Sequence, residues 1–203
     1  MSRLVMIDSQ LFIWGIKGQA SLGQEDKIQT SKRFIDWLSI HDCKILLPAP
    51  LMAELLSGVP PDEQRAVKDF FDKRFRVAPF DTLAAEVCAE LLYDSYNDED
   101  LKAFRKEHKV LKSSIKYDCM LVAIAITNRV EVIYSVDKDL KRYANDRIHV
   151  MEPPHMPTQS EIGQQLSIFP ALGPDVEETG FDKSPLLNNQ IFEVQSKEYS
   201  QEK

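Results

Sequence analysis

The fold is predicted most directly by residues 113–139, SSIKYDCMLVAIAITNRVEVIYSVDKD. The residues from Cys119 to Thr127 carry no charge, which is typical of a buried helix. The apolar run in EVIYS then predicts a strand, and two acids follow in the turn DKD. The buried helix nevertheless carries Asp118 near its start. An unpaired carboxylate beside such a surface costs roughly several kcal/mol, so we expect a cation, such as a metal ion, to offset it.

Strands and helices alternate along the rest of the chain. Strands are predicted where short apolar runs meet turn residues, and helices are predicted between them from apolar residues at helical spacing. This order predicts a three-layer α/β/α fold, in which helices cover both faces of a parallel sheet of about five strands joined by right-handed crossovers. The predicted strands are residues 3–8, 44–50, 76–80, 131–135 and 147–152.

Capping residues predict where several helices begin. Pro61 is followed by two acids and is expected to occupy the first position of a helix. Asp81 is expected to cap the next helix, and Ser113 or Ser114 the buried helix described above. The charged segment 97–112 is expected to form an exposed helix or a helical hairpin.

The composition predicts one domain followed by a tail. With 203 residues, 43% of them hydrophobic, the chain can bury one good core, which we assign to residues 1–151. In residues 152–203, Pro, Gly and polar residues dominate and the regular spacing of apolar residues is lost. We expect this tail to be mostly flexible, and leave open that residues 162–169, IGQQLSIF, dock on the domain or on a partner.

Charge and hydropathy restrict the class of protein. A net charge of −7 argues against nucleic-acid binding through bulk electrostatics, but it allows a local basic rim around an acidic site. No signal-peptide pattern and no run of roughly 18 uncharged apolar residues is present, so we expect a soluble, cytoplasmic protein without a membrane partner. The cysteines are odd in number and lack zinc spacing, and we expect them to be core residues in a reducing compartment.

Four carboxylates are predicted to meet at one edge of the sheet. Asp8 ends the first strand, Glu54 lies in the helix after the second strand, and Asp137 follows the fourth. Asp118 lies near the start of the helix that leads into that fourth strand. Because ligands bind outside the carboxyl ends of parallel strands, all four acids can face one site. Oxygen ligands without Cys or His suit Mg²⁺ or Mn²⁺, which usually act on phosphates.

Each of these acids also has a simpler interpretation, which the sequence leaves open. An aspartate after a strand is often a helix cap, as Asp8 could be, and Glu54 could face solvent on a short helix. Of the two acids in the turn after the fourth strand, Asp137 is the predicted ligand, and Asp139 is the predicted cap or secondary ligand.

The order of these acids resembles that of the PIN-domain nucleases, and among them the single-domain VapC-type toxins of toxin–antitoxin pairs. In that family an Asp followed by Ser or Thr ends the first strand, and a Glu lies in the helix after the second. A further Asp starts a long apolar helix, and a Thr/Ser-x-Asp-x-Asp turn follows the fourth strand. The resemblance covers about residues 3–151. The matching segments are Asp8-Ser9, Ala53-Glu54-Leu55, Asp118 before LVAIAI, and Ser135-Val136-Asp137-Lys138-Asp139.

The resemblance implies hydrolysis of phosphodiester bonds in RNA with one or two Mg²⁺ or Mn²⁺ ions. Asp8 and Asp118 would be the main ligands, while Glu54 and Asp137 would hold metal waters or a second ion. An antitoxin protein and a homodimer are left open as partners. Ser9 and Ser135 would orient a carboxylate or a phosphate. Nearby cations would contact the RNA backbone unless they are ordinary solvated surface charges, and these are Lys112, Lys116, Lys138, Lys141 and Arg142.

Two other classes of protein compete with this interpretation. A haloacid-dehalogenase-like phosphatase also has an Asp after its first strand, but it needs a second Asp two residues later, where this chain has Gln10. The stronger alternative is a non-catalytic PIN-like module that binds RNA or serves as a scaffold. The presence of every acidic position argues against that alternative.

Overall fold

Five parallel strands form one sheet in the computed structural model, which describes residues 2–157. Every neighbouring pair in the sheet is parallel, and the spatial order is third, second, first, fourth, fifth. This confirms the predicted α/β fold with a parallel sheet. The strands are β1 (Arg3–Ile7), β2 (Cys43–Pro48), β3 (Arg76–Ala78), β4 (Val132–Tyr134) and β5 (His149–Met151).

Helices connect the strands, as the alternating pattern predicts. None of the helices between residues 2 and 157 is long and apolar enough to cross a membrane. The charged segment after residue 97 forms a separate exposed helix. The helices are α1 (Ser9–Phe12), α2 (Glu25–Ile40), α3 (Ala49–Ser57), α4 (Gln64–Arg74), α5 (Thr82–Asn97), α6 (Glu99–His108), α7 (Lys112–Thr127) and α8 (Lys138–Ala144), with a π-helical segment at Ile13–Lys17.

The chain divides into two units, and the sheet belongs to the unit formed by residues 1–11 and 38–153. β4 and the Val5–Ile7 part of β1 are buried because helices cover the sheet, so their sequences are continuous apolar runs instead of alternating ones. In α7 the residues from Leu121 to Ala125 are all at most 2% exposed. The uncharged stretch of the sequence is therefore a buried helix, as predicted.

The second unit contains Phe12–Trp37 and the described residues after Pro153. The π-helical segment of this unit was not predicted, and neither was α1 before it, because two short helical turns leave too few residues for a spacing pattern. A Cβ at Gly15 would lie 2.4 Å from Cδ1 of Ile35, so the Ile35 side chain would have to shift to admit a larger residue. Gly18 ends the segment in the left-handed conformation, with φ of 67°.

Two predicted helix starts are wrong. α4 begins at Gln64 and not at Pro61, which lies in a turn before it. α7 has Leu111 at its N-cap position and no side-chain cap, so Ser113 and Ser114 lie inside the helix. In α7 burial of the apolar face stabilises the helix enough that a capping side chain is not required. The cap at Asp81 is confirmed, since its Oδ1 accepts a hydrogen bond from Ala84 N at 2.9 Å.

Replacing this cap tests the assignment. Asp81→Ala is expected to lower the free energy of unfolding by about 1 kcal/mol, because the amide of Ala84 loses its acceptor. Asp62→Ala is the matched control, because Asp62 precedes α4 without capping it, and little change is expected. Urea denaturation of both variants measures the difference, and equal losses would contradict the cap.

The predicted division into a domain at 1–151 and a tail at 152–203 stays a prediction. Residues 158–203, including IGQQLSIF at 162–169, lie outside the described residues.

Candidate active site

The site begins where β1 and β4 end side by side. The two strands pair in parallel, with Ile7 opposite Tyr134, so the residues that follow them emerge at the same edge. Asp8 follows β1 and donates its backbone N–H to Tyr134 O at 3.0 Å, while Ser135 follows β4. Both residues are buried, with exposed fractions of 6% for Asp8 and 3% for Ser135.

The carboxylate of Asp8 is held by three hydrogen bonds. Its Oδ1 accepts from Leu11 N at 2.9 Å, which gives Asp8 a capping role at the start of α1. Its Oδ2 accepts from Ser135 Oγ at 2.5 Å and from Val136 N at 3.0 Å. Burial raises the pKa of Asp8 more than these hydrogen bonds lower it, and the charge of Asp137 raises it further. The carboxylate is therefore fixed in position at a place where its negative charge is poorly compensated.

Asp118 faces the same edge from the second turn of α7. Burial raises its pKa to about 7, and the charges of Asp137, Asp139 and Asp8 contribute to the rise in that order. It accepts no hydrogen bond from any residue between 2 and 157. Asp118 therefore differs from Asp8 in having a carboxylate that the protein itself does not stabilise.

These residues line a cleft of about 250 Å³. Three of its lining residues are aspartates, and among the described residues no cationic side chain lines it. The cleft therefore concentrates negative charge. Its lining consists of Asp8, Ser9, Gln10, Asp118, Leu121, Ser135, Val136, Asp137 and Leu140.

In the turn after β4, the helix cap is not the aspartate that was predicted to be the cap. Asp137, the predicted ligand, is the residue that caps α8, because its Oδ1 accepts from Asp139 N at 2.8 Å. Asp139 is not the cap; its Oδ1 lies 3.5 Å from Arg142 Nε. Ser135 supports the turn as well, since its Oγ accepts from Asp137 N at 2.9 Å. Because α8 begins at Lys138, the residue directly before it, Asp137, is the N-cap.

Glu54 does not line the cleft with the three aspartates. It is exposed on α3, and its Oε2 accepts a hydrogen bond from Tyr117 Oη at 2.7 Å. Because Tyr117 precedes Asp118 in α7, Glu54 is held next to the site without entering it. Burial, together with the hydrogen bond to Glu54 and its charge, raises the pKa of the Tyr117 hydroxyl far above its usual range. Nothing in the sequence pattern singles out Tyr117.

None of the predicted cations lines the cleft. Lys138 and Lys141 line a groove of about 460 Å³ together with Ser135 and Asp137, which also belong to the cleft. Arg142 lies on the same helix, and Lys112 and Lys116 are exposed on α7. Of these cations, Lys138 and Lys141 therefore border the acidic cleft.

The donor chemistry of the cleft suits a hard cation. Carboxylate and hydroxyl oxygens are ligands for Mg²⁺ or Mn²⁺, and the raised pKa of Asp118 indicates negative charge that such an ion would stabilise. Within residues 2–157, however, no three His, Cys, Asp or Glu side chains are placed closely enough to hold an ion as they stand. Side-chain rotation of the less constrained acids, Asp118 and Asp137, would have to accompany binding.

Comparisons with known proteins identify the fold. No protein-family model matches the sequence, and no curated protein matches it either. The chain is similar in structure to a DNA-bound VapBC from Salmonella typhimurium, with a TM-score of 0.51 and 18% identity over 75% of this chain and 98% of the other. It also matches VapBC2 from Rickettsia felis bound to a promoter DNA fragment, with a TM-score of 0.49 and 13% identity over 73% and 98% of the two chains.

VapBC complexes contain PIN-domain VapC toxins. The chain thus has a VapC-like PIN fold, and the resemblance seen in the sequence is confirmed at the level of the fold.

Proposed function

We propose that the protein is a Mg²⁺- or Mn²⁺-dependent endoribonuclease that hydrolyses phosphodiester bonds in RNA, and that it is the toxin of a toxin–antitoxin pair. One observation carries the proposal: Asp118 shares a cleft with Asp8 and Asp137, and no cation of the described chain lines that cleft. Asp8 and Asp137 also serve as helix caps, but an acid such as Asp118 that was used only for stability would be paired with a basic residue. Acids left unpaired in a cleft are typical of a functional site.

The proposed metal ligands differ in how firmly the protein holds their carboxylates. Ser135 and the backbone amides of Leu11 and Val136 fix the carboxylate of Asp8, which can then act as a rigid ligand. Asp118 lacks such partners and can adjust to the ion. When bound, the ion would lower the pKa of a water and neutralise charge on the phosphate.

Several further residues have supporting roles in this proposal. Asp137 and Asp139 would hold metal waters or a second ion at the start of α8. Tyr117 keeps Glu54 beside the cleft, where it can hold a water at the margin. Ser9 lines the cleft and can donate to a phosphate oxygen.

The alternative is a non-catalytic PIN-like module that binds RNA or serves as a scaffold. One observation favours it, namely that no three potential ligands between residues 2 and 157 are already grouped around an ion position. The cleft itself argues against it, because three aspartates without a cation repel an RNA phosphate unless an ion lies between them.

The biological setting is part of the proposal. The structural neighbours are VapBC complexes, so we propose an antitoxin as the protein partner and the cytoplasm as the location. A homodimer is compatible with this assignment. Gel filtration of the chain expressed alone and with the product of a neighbouring small reading frame would test both partners.

Cleavage of a short single-stranded RNA tests the activity. We expect cleavage with Mg²⁺ or Mn²⁺, none in EDTA, and no comparable support from Zn²⁺, because hard oxygen ligands favour the first two ions. Asp118→Asn purified in parallel controls for a contaminating nuclease. Undiminished cleavage in EDTA would exclude the metal mechanism, and metal-dependent binding without cleavage would support the alternative.

A further inference from the structure

Two arginines on neighbouring helices rest against aromatic rings. The guanidinium carbon of Arg142 in α8 lies 4.1 Å from the ring centre of Phe104 in α6. The guanidinium carbon of Arg105 in α6 lies 5.1 Å from the ring centre of Tyr96 in α5. The contact between Arg142 and Phe104 also joins α8 to α6. Both guanidinium groups are therefore oriented by packing before any ligand binds.

Among the described residues, only the Nε atoms of these arginines have hydrogen-bond or ion-pair partners. Arg105 Nε donates to Leu101 O at 3.2 Å, and Arg142 Nε lies 3.5 Å from Asp139 Oδ1. The terminal nitrogens form no hydrogen bond or ion pair with any residue of the described chain. A guanidinium group held in this way offers a pair of donors that matches the geometry of a phosphate, and less rotamer entropy is lost on binding.

Unpaired lysines line the grooves beside these arginines. Within residues 2–157, Lys106, Lys112, Lys138 and Lys141 form no ion pair. The α6 groove, of about 390 Å³, has no acid among its described lining residues, and the α8 groove, of about 410 Å³, has one. The α6 groove is lined by Tyr96, Lys102, Arg105, Lys106, Val110 and Lys112, and the α8 groove by Lys138, Lys141, Arg142, Asn145 and Asp146.

The basic surface starts at the edge of the acidic cleft. Lys138 directly follows Asp137, which lines the cleft, and Lys138 and Lys141 line both the α8 groove and the groove that contains Ser135. From there Arg142 leads to α6 through its contact with Phe104. The positive side chains are thus gathered along one route, although the chain as a whole carries a net charge of −7.

We infer that single-stranded RNA leaves the cleft along α8 and continues onto α6, where the α6 groove binds backbone phosphates away from the cleaved bond. The inference rests on the proposed function and extends it to residues such as Arg105 and Lys106. An acidic cleft repels the backbone on both sides of the cleaved phosphate, so affinity must come from cations outside it. Cations interleaved with aromatic rings are typical of surfaces that bind single strands.

Charge reversal at two lysines of the α6 groove tests the route. Lys106→Glu with Lys112→Glu breaks no ion pair of the described chain, and Arg65→Glu with Lys73→Glu on α4 changes the net charge equally. Binding of a labelled RNA of about twelve nucleotides is measured in EDTA, where no cleavage occurs. We expect the first pair to weaken binding roughly tenfold or more, and the α4 pair to weaken it less than about twofold.

The salt dependence of binding provides a second readout. Each phosphate contact with a single strand contributes about 0.7 to the slope of log K against log salt concentration, so the α6 pair should reduce the slope by about 1.4. If the parent and the α6 pair bind RNA with equal affinity, the inference is overturned. That result is expected if the α6 groove binds an acidic protein segment instead of RNA. Equal losses for the two pairs would also overturn it, because they would indicate bulk charge.

Failure of this inference can be separated from failure of the proposed function. The full-length parent is also assayed with Mn²⁺ on an RNA of about four nucleotides, which is too short to reach from the cleft to α6. Cleavage of the short RNA combined with unchanged binding by the α6 pair would overturn only the route along α6. Absence of cleavage would instead contradict the nuclease assignment itself.

Discussion

Asp118→Asn is expected to abolish metal-dependent RNA cleavage and, in the metal-free protein at about pH 8, to raise the melting temperature by roughly 3–8 °C. Loss of cleavage follows because an amide is a weak ligand for Mg²⁺ or Mn²⁺. The gain in stability follows because Asp118 accepts no hydrogen bond from the described residues and faces three other carboxylates. Removing its charge relieves both burial and repulsion, a gain of about 1–3 kcal/mol.

The pH dependence of this gain has a definite sign. The pKa of Asp118 is raised to about 7 in the folded protein, above its value of about 3.9 in an unfolded chain. The folded state therefore holds the proton more tightly, so the parent protein loses stability as the pH rises from about 4 to about 7. The asparagine variant lacks this contribution of Asp118 to the loss. The difference in melting temperature between variant and parent should accordingly be larger at about pH 8 than at about pH 5.

Thermal melting in EDTA at both pH values measures this effect. Glu86→Gln, an equivalent substitution at an exposed position of α5, serves as the control and should change neither melting temperature. An Asp118→Asn protein that melts well below the parent would indicate a structural role for this side chain. Retained cleavage by the same variant would remove Asp118 from the proposed site.

Asp8→Ala is expected to have the opposite effect on stability while also abolishing cleavage. The substitution leaves three donors without their acceptor, namely the amides of Leu11 and Val136 and the hydroxyl of Ser135. Each buried unpaired donor is costly, and removal of a poorly compensated charge offsets only part of the loss. We expect a decrease of about 2–3 kcal/mol in the free energy of unfolding without metal.

Urea denaturation in EDTA measures the loss for Asp8→Ala. Ser135→Ala is a graded comparison, because it removes one donor to Asp8 and the acceptor of Asp137 N but leaves both backbone hydrogen bonds to Asp8, and we expect a smaller loss. If Asp8→Ala is as stable as the parent, the hydrogen bonds do not hold this carboxylate as described, and its rigidity cannot contribute to metal binding.

Part of the site could be predicted because the residues that follow parallel strands all lie at the same edge of the sheet. Asp8 and Asp137 follow strands that are neighbours in the sheet, and the apolar run after Asp118 indicated a helix packed against it. The contact of Tyr117 with Glu54 could not be predicted, because the two residues are 63 positions apart and neither belongs to a local pattern. Of the cations that line the α6 groove, Lys112 was predicted, whereas Lys102, Arg105 and Lys106 were missed, because they are ordinary surface charges until packing places them near α8.

The amino-acid pattern alone was sufficient to predict the alternation of strands and helices, the parallel sheet and the aspartates at its edge. These features follow from local spacing of apolar residues and from the geometry of crossover connections, both of which can be read along the chain. Folding in three dimensions was needed to separate the roles of the acids. Asp8 is fixed by donors from two segments, and Asp118 has no donor among residues 2–157. Asp137 caps a helix, and Glu54 lies outside the cleft. Hydrogen bonding and desolvation depend on neighbours that are distant in sequence, so no local pattern could assign them.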